Sequence, residues 1–468
     1  MADGAHADRD FGGASALAPK LPFAICLGWG AGTLAVAVLF NAVNVLLLRY
    51  LVDFVGISAG IAGALIGLSK LYDAIIDPLI GTLSDRSRSR AGRRRPFVLV
   101  GGGLLAIAAV MLFNVPNMLK GTSVLWYVAL ALIVYATAYA TFSVPYMAMP
   151  AEMTRDYHER SRLISFRVYA VALASLVAVF VGPVVIGALG GGQAGYTALS
   201  GVLVVVILAS ALFCFVATRP APVHYEDNPD RVPFLRKLVL ISDNKPFMLL
   251  LVVKLLQLLA LAVTQASIPF LFKRVLALSD ATLGLYFLVF YGAMVVAQPL
   301  WLRAGRKLGK RDLFFWISIA YGLMYASWYF VSPSDPIALL YLRALLLGIT
   351  GGGVLLFGQS LLPDTMEWDY RRTGLRREGL LAALYTVVEK LAYALGSAVT
   401  GIVLGAAGYI QGAGVSGAVI DQPPSAIEAI FILSSFAPMG FLLASCVALK
   451  FYDLSEARLA GPVTPGAR

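Results

Sequence analysis

Residues 70–96 read KLYDAIIDPLIGTLSDRSRSRAGRRRP, an apolar run that contains three charges and is followed by a loop with six arginines. A Lys or Asp at the centre of a membrane helix costs about 2.5–3.5 kcal/mol on insertion scales, so such residues usually face a cavity and take part in function. At about 100° per residue, Lys70, Asp73 and Asp77 fall within about 60° of one another. We therefore predict that Asp73 and Asp77 bind a monovalent cation or a proton beside Lys70. The alternative is a structural ion pair between helices.

The composition indicates a membrane protein with several helical spans. Of 468 residues, 59% are hydrophobic and 13% are charged, and the mean hydropathy is +0.80. A water-soluble globule of ordinary charge content would not reach these values. The net charge of +11 resembles that of nucleic-acid-binding proteins, but the arginines cluster in short loops between apolar runs. We therefore expect a lipid bilayer around the chain and no nucleic acid as partner.

About twelve apolar runs are long enough to cross a hydrocarbon core of about 30 Å, which takes about 20 helical residues. The predicted spans are 23–53, 58–84, 96–116, 123–150, 161–190, 196–218, 246–273, 281–305, 312–332, 336–362, 379–408 and 426–452. The predicted fold class is an all-α integral membrane protein with 12 transmembrane helices. An even number of spans puts both termini on one side, and the basic loops make that side cytoplasmic. We expect a multi-pass protein of the inner cell membrane.

A long polar stretch divides the spans into two six-helix halves. The predicted order is a cytoplasmic N-terminal tail (1–22), a first half (23–218), a cytoplasmic linker (219–245), a second half (246–452) and a cytoplasmic C-terminal tail (453–468). An internal echo supports duplication. RAGRRR at 90–95, after the second span, recurs as RAGRKL at 303–308, after the second span of the later half.

Three longer blocks of sequence resemble one transporter family. They are YDAIIDPLIGTLSDRSRSRAGRRRP at 72–96, VPYMAMPAEMTRDYHERSRLISFR at 144–167 and LPDTMEWDYRRTGLRREG at 362–379. Together with the spacing of the spans, these blocks are similar to those of the glycoside-pentoside-hexuronide:cation symporters of the major facilitator superfamily. The resemblance implies the major facilitator fold and a cation-coupled symporter with a central cavity that opens alternately to the two sides.

The resemblance also implies roles for individual residues. Asp73 and Asp77 would be the cation-site carboxylates, with Na⁺ as the metal if the coupling ion is sodium, and Lys70 would be the basic residue one turn before them. Arg167 matches a cavity arginine in span five, and Lys390 matches a lysine in span eleven. We expect Lys390 to compete with the cation for the acid pair. No cofactor is expected besides the coupling ion, Na⁺ or H⁺.

The sequence departs from the family pattern at three positions of the predicted cavity. The acid expected in the first span is replaced by Ala37, the acid expected in span four is Ser143, and the sugar-stacking aromatic after it is Met147. A disaccharide is normally held by carboxylates and an aromatic face, with few polar groups placed for orientation. The cavity is therefore expected to be more apolar, which questions a galactoside as the solute.

Other polar residues inside the spans have two interpretations each. Asn41 and Asn44 in span one either contact the solute or hydrogen-bond between helices. Tyr385 and Tyr393 in span eleven offer hydroxyls to the cavity, and aromatic packing is the alternative. Lys254 in span seven is expected to extend toward the membrane surface from near a helix end.

The basic loops fix the topology, and we expect them also to form a cytoplasmic latch when the transporter is open outward. Single ion pairs at the rim contribute only about 0–1 kcal/mol, so the latch would have to act as a network. The predicted gate residues are Asp85, Arg86, Arg93, Arg94, Asp156, Glu159, Asp364 and Asp369.

Two functions remain open from the sequence. The first is symport of a sugar or glycoside-like solute coupled to Na⁺ or H⁺, and the second is cation-coupled transport of an amphiphile such as a lysolipid, which the apolar Ala37 and Met147 favour. An enzyme is disfavoured, because the sequence has no nucleotide motif, metal cluster or nucleophile triad. We expect a monomer whose partners are a small-molecule substrate and the bilayer.

Overall fold

The computed structural model describes residues 21–89, 92–154, 157–222, 244–374, 377–412 and 421–454. Throughout these ranges the regular secondary structure is helical. A helix forms its backbone hydrogen bonds within one segment. An apolar run needs this in the core of a bilayer, because no water is present there to bond its N–H and C=O groups. Most of the predicted linker and tails, and the predicted gate residue Asp156, lie outside the described residues.

Eleven of the described helices are long and apolar enough to cross a membrane. They are Phe23–Leu47, Ala59–Arg86, Arg95–Phe113, Thr122–Pro150, Arg162–Ala188, Gln193–Ala217, Lys245–Val275, Lys310–Phe330, Ile337–Thr373, Leu380–Ala406 and Pro424–Lys450. Asp280–Val296 and Gln298–Leu308 form one further span that is bent by 42°. We number the spans 1 to 12 in chain order, with the bent pair as span 8. The predicted all-α integral membrane fold is confirmed.

Two spans differ in shape from the expectation. Span 8 bends before Pro299, which is the second residue of its new helix and has no N–H to continue the earlier one. The helix of span 10 continues to Thr373, well beyond the predicted end at residue 362. Hydropathy marks the part of a helix that lies in hydrocarbon, whereas this helix ends at Gly374, whose φ of 69° is left-handed.

We name the two faces of the bundle by the loops they carry. The basic-loop face carries residues 87–89 and 92–94, between spans 2 and 3, and Gly309, between spans 8 and 9. The opposite face carries residues 55–58 and 276–279, which follow spans 1 and 7. The chain of each of these spans reaches the opposite face in a π-helical turn, Tyr50–Phe54 in the first half and Leu271–Val275 in the second.

The two halves meet most extensively along two helix pairs, span 2 with span 11 and span 5 with span 8. Glycine allows the backbones to approach closely at both crossings. A Cβ on Gly63 would lie 2.8 Å from the Cα of Gly401, and a Cβ on Gly284 would lie 2.7 Å from the carbonyl oxygen of Phe180. Small residues at such crossings replace the hydrophobic driving force that is missing between helices in lipid.

Candidate functional site in the interior of the bundle

Span 2 carries the predicted acid pair one helical turn apart. The side chain of Asp73 is buried, and that of Asp77 is 27% exposed. Each carboxylate has one buried oxygen, Oδ1, without a hydrogen-bond partner. An unpaired buried carboxylate oxygen is costly, and a proton or a monovalent cation can satisfy it. The donor set therefore fits the predicted cation site.

Lys390 of span 11 forms an ion pair with Asp77 of span 2, and so connects the two halves in the middle of the molecule. Its ammonium also lies 5.6 Å from the centre of the Tyr139 ring in span 4. Asp77 therefore uses one oxygen for Lys390 and keeps the other without a partner. Lys390 therefore lies where it can compete with a cation for Asp77, as the predicted mechanism requires. That cation binding is coupled to the movement of Lys390 stays a prediction.

Lys70 lies in an aromatic cage instead of in solvent. Its ammonium donates a hydrogen bond of 3.2 Å to the hydroxyl of Tyr135 and lies 4.7 Å from the centre of that ring. The Phe40 ring of span 1 is 4.9 Å away, and Tyr393 of span 11 packs edge-on against Phe40 with 5.0 Å between ring centres. Cation–π attraction is strongest where the cation is desolvated, as here. The cage explains how a lysine is accommodated beside Asp73.

The residues predicted from the family pattern in spans 4 and 5 lie as follows. Arg167 is half-buried and forms neither a hydrogen bond nor an ion pair with any residue that the structure describes. Ser143 is half-buried, and Met147 is 47% exposed. The neighbouring Tyr146 is buried and stacks on Trp29 of span 1, with 5.0 Å between ring centres. Tyr146 is thus a packing residue, and Met147 keeps the accessible position.

Neither asparagine of span 1 forms a hydrogen bond to another helix within the described part of the chain. Asn41 donates to the carbonyl of Ala37 in its own helix at 2.8 Å. Asn44 is buried, and both polar atoms of its side chain lack a partner. Among the tyrosines of span 11, Tyr385 donates to the carbonyl of Gly358 in span 10 at 2.8 Å. Asn44 is thus the asparagine whose two polar side-chain atoms are both buried without a partner.

On the basic-loop face, the predicted gate residues of the first half pair with each other. Asp85 accepts hydrogen bonds from Arg93 at 3.1 Å and from Arg94 at 3.0 Å. Arg94 also bonds Glu152 at 2.6 Å, so one arginine ties the ends of spans 2 and 4 together. Glu159 pairs with Arg162 at 3.3 Å.

The second half repeats this arrangement. Lys310 pairs with Asp364 at 3.0 Å, and Arg377 pairs with Asp369 at 2.8 Å. Arg94 and Lys310 each lie at the start of the third span of a half and bond an acid near the end of the fourth.

Arg86, the remaining predicted gate residue that the structure describes, is exposed. The predicted latch across the halves belongs to the outward-open conformation and stays a prediction.

A buried charge network at the opposite face was not predicted from the sequence. Arg49 forms an ion pair with Asp280, and Asp53 lies 2.9 Å from Arg274. The hydroxyl of Tyr409 donates to Asp53 at 2.8 Å and accepts from Arg274 at 3.1 Å. Burial raises the pKa of the Tyr409 phenol, so its proton stays available for Asp53. Arg49 and Asp53 belong to the first half and the other three to the second, so this network joins the halves.

Comparison with known proteins gives the family. The sequence model of the MFS/sugar transport protein family matches residues 28–456. The chain belongs to the MFS/sugar transport protein family. Its relatives include an uncharacterised symporter of Synechocystis sp., 28% identical over 94% of this chain and 96% of the relative. The isoprimeverose transporter of Lactiplantibacillus pentosus is 24% identical over 89% of this chain and 86% of the relative.

The fold of this MFS/sugar transport protein is also that of solved transporters. A crystal structure of a D-xylose-proton symporter superimposes with a TM-score of 0.67 over 93% of this chain and 98% of that one, at 16% identity. The predicted membership of the glycoside-pentoside-hexuronide:cation symporters within the major facilitator superfamily is confirmed. The chain is a multi-pass membrane transporter for a small molecule, not an enzyme.

In this MFS/sugar transport protein, Lys254 does not extend toward the membrane surface as expected. Its side chain is 5% exposed and pairs with Glu389 of span 11 at 3.0 Å. The sequence gives little signal for this pair, because the partners lie in different spans and Glu389 stands next to the more noticeable Lys390. The aromatic cage around Lys70 was missed for a similar reason, since Phe and Tyr at helical spacing are most often packing residues.

Proposed function

We propose that the chain carries out symport of a sugar or glycoside-like solute coupled to a cation, by alternating access. The observation that carries the proposal is the Lys390–Asp77 ion pair between the halves, beside the unpaired Oδ1 atoms of Asp73 and Asp77. The family supports the sugar, and the symporter among the relatives supports the cation. An amphiphile as solute is not favoured by these relatives.

The ion pair gives a physical route from the cation to the solute. A proton or Na⁺ at the acid pair lowers the negative charge that attracts Lys390, so the tie between spans 2 and 11 weakens. Lys390 is then free to meet the solute or to let the halves move. Linkage requires that the solute tightens cation binding by the same factor by which the cation tightens solute binding.

The orientation follows from the charge of the loops. Short arginine-rich loops stay on the cytoplasmic side, so the basic-loop face and both termini are cytoplasmic in the inner membrane. The cross-half network then lies at the external side, and the conformation described here is closed to the outside. The transporter acts as a monomer in the bilayer and needs no cofactor beyond its coupling ion, Na⁺ or H⁺.

Uptake into proteoliposomes tests the proposal. Xylose, glucuronate and methyl glucoside are offered under imposed Na⁺ and H⁺ gradients, and at least one should accumulate above its external concentration. Asp73→Asn and Asp77→Asn should abolish this accumulation, because each removes a cation ligand while lowering the cost of charge in the membrane. Glu367→Gln is the matched control, since Glu367 pairs with Arg371 on its own helix at 2.6 Å. Accumulation that survives in both Asp variants contradicts the proposal.

A further inference from the structure

Span 11 carries two adjacent charged residues whose ion pairs point in different directions. Lys390 pairs with Asp77 of the first half, whereas Glu389 pairs with Lys254 of span 7 in its own half. Adjacent residues on a helix lie about 100° apart, so both can pair at once. The Lys254–Glu389 pair has no place in the cation mechanism above.

Glu389 lies at the edge of the face that span 11 turns to the first half. Tyr393 marks that face, because its ring packs against Phe40 of span 1. At about 100° per residue, Tyr393 lies about 60° from Lys390 and about 40° from Glu389, between the two. The carboxylate therefore borders the space between the halves, and its side chain is 43% exposed.

Lys254 fixes one oxygen of this carboxylate and leaves the other free. Its ammonium is buried, lies 3.3 Å from the centre of the Tyr385 ring and contacts Glu389 Oε2 at 3.0 Å. The Tyr385 hydroxyl is held in turn by the carbonyl of Gly358 at 2.8 Å. Within the described part of the chain, Oε1 of Glu389 forms no hydrogen bond. Glu389 is thus an oriented carboxylate with one accessible acceptor.

We infer that Glu389 determines solute specificity by accepting a hydroxyl hydrogen of the solute at Oε1, with Lys254 as the positioning residue. The inference rests on the proposed function. Ionised carboxylates are the strongest hydroxyl acceptors among side chains. Because Lys254 already neutralises Glu389, this carboxylate is a poor second cation site. The solute is therefore held by a hydroxylated end against span 11.

The test measures discrimination between hydroxyls. The probe is the sugar of the xylose, glucuronate and methyl glucoside panel that the wild type accumulates fastest, together with its monodeoxy analogues. In Glu389→Gln, KM for the parent sugar should rise about tenfold or more, and the preference over one particular deoxy analogue should fall by the same factor. At saturating sugar, the cation concentration for half-maximal uptake should stay unchanged. Glu367→Gln, on the basic-loop face, should change neither quantity.

A second variant keeps the test decisive. Glu389→Gln leaves Lys254 buried without its partner and risks misfolding, so Glu389→Gln with Lys254→Met removes both charges together. The double variant should show the same loss of hydroxyl preference. An unchanged preference in the folded double variant overturns the inference, and so does a shifted cation requirement with unchanged preference, which would make Glu389 a coupling acid. A wild type that accumulates no panel sugar contradicts both the proposed function and this inference. Accumulation with an unchanged hydroxyl preference contradicts this inference alone.

Discussion

The two faces of the molecule are held together in different ways. On the basic-loop face, each ion pair among the described residues joins two residues of one half, as Asp85 does with Arg93 and Arg94. On the opposite face, Arg49 and Asp53 of the first half pair with Asp280 and Arg274 of the second. Among the described residues, ion pairs therefore tie the halves together at one face, whereas those at the other face stay within one half.

The ion pairs on the two faces also differ in burial, which decides how much each pair stabilises the conformation described here. The side chain of Asp85 is 54% exposed, whereas that of Asp53 is fully buried. Exposed pairs contribute about 0–1 kcal/mol, while removing one partner of a buried pair costs about 3–5 kcal/mol. The opposite face thus selects the conformation described here. Its charges regain water when that face opens, so the tie can break during transport.

The cross-half network also follows the internal repeat. Asp53 is the fourth residue of the π-helical turn Tyr50–Phe54, and Arg274 is the fourth residue of Leu271–Val275. Equivalent positions in the two halves thus carry opposite charges and lie 2.9 Å apart. The internal repeat thus supplies both partners of one contact between the halves.

The largest expected effect is that of Arg49→Met. It removes the partner of Asp280 and leaves Asp53 with Arg274 and Tyr409 alone. The equilibrium should shift about 100-fold or more away from the conformation that is tied at the opposite face. The readout is Thr386→Cys, an exposed position on the inner face of span 11, labelled with maleimide in nanodiscs. Its labelling rate should fall.

Arg343→Met is the matched control for this variant. Arg343 pairs with Asp335 at 3.0 Å within the second half, and its hydrogen bond lowers the pKa of Asp335. This pair does not cross the halves, so the labelling rate should stay at the wild-type value. The native Cys26, Cys214 and Cys446 are buried and add little background. Equal labelling of Arg49→Met and the control contradicts the role given to the network.

The sequence predicted the fold, and it singled out the buried charges of span 2 more readily than the contacts between spans. Charges inside an apolar helix identify Asp73, Asp77 and Lys70, because the cost of charge in lipid makes them exceptional. Arg49 and Asp280 stand 231 positions apart near predicted span ends, where charges are ordinary. Their pairing depends on how the two halves pack against each other. Hydropathy and helical periodicity describe one segment at a time, so they do not predict a contact between the halves. For the same reason the partner of Lys254 could not be found from the sequence.

An intermediate effect is expected for Arg274→Met. Asp53 then loses its contact at 2.9 Å but keeps the hydrogen bond from Tyr409 and Arg49 at 3.7 Å. A hydrogen bond to a charged group contributes about 1.5–3 kcal/mol, so the labelling equilibrium should shift roughly tenfold to 100-fold. Tyr409→Phe should act in the same direction and more weakly, because it removes only a neutral donor. A shift larger than that of Arg49→Met would reverse the assigned order of the two arginines.

The smallest effect on labelling is expected for Asp85→Asn. The size of this effect depends on whether the substitution is made in the wild type or in Arg49→Met. In the wild type Asp85 is exposed and pairs within its own half, so its loss should change Thr386→Cys labelling less than about fivefold. In Arg49→Met the basic-loop face closes more often, and the predicted latch across the halves then forms. Asp85→Asn should weaken that latch and raise labelling again by a few fold. If the substitution has the same small effect in both backgrounds, Asp85 only ties spans 2 and 3 together, and the closed basic-loop face depends on other contacts.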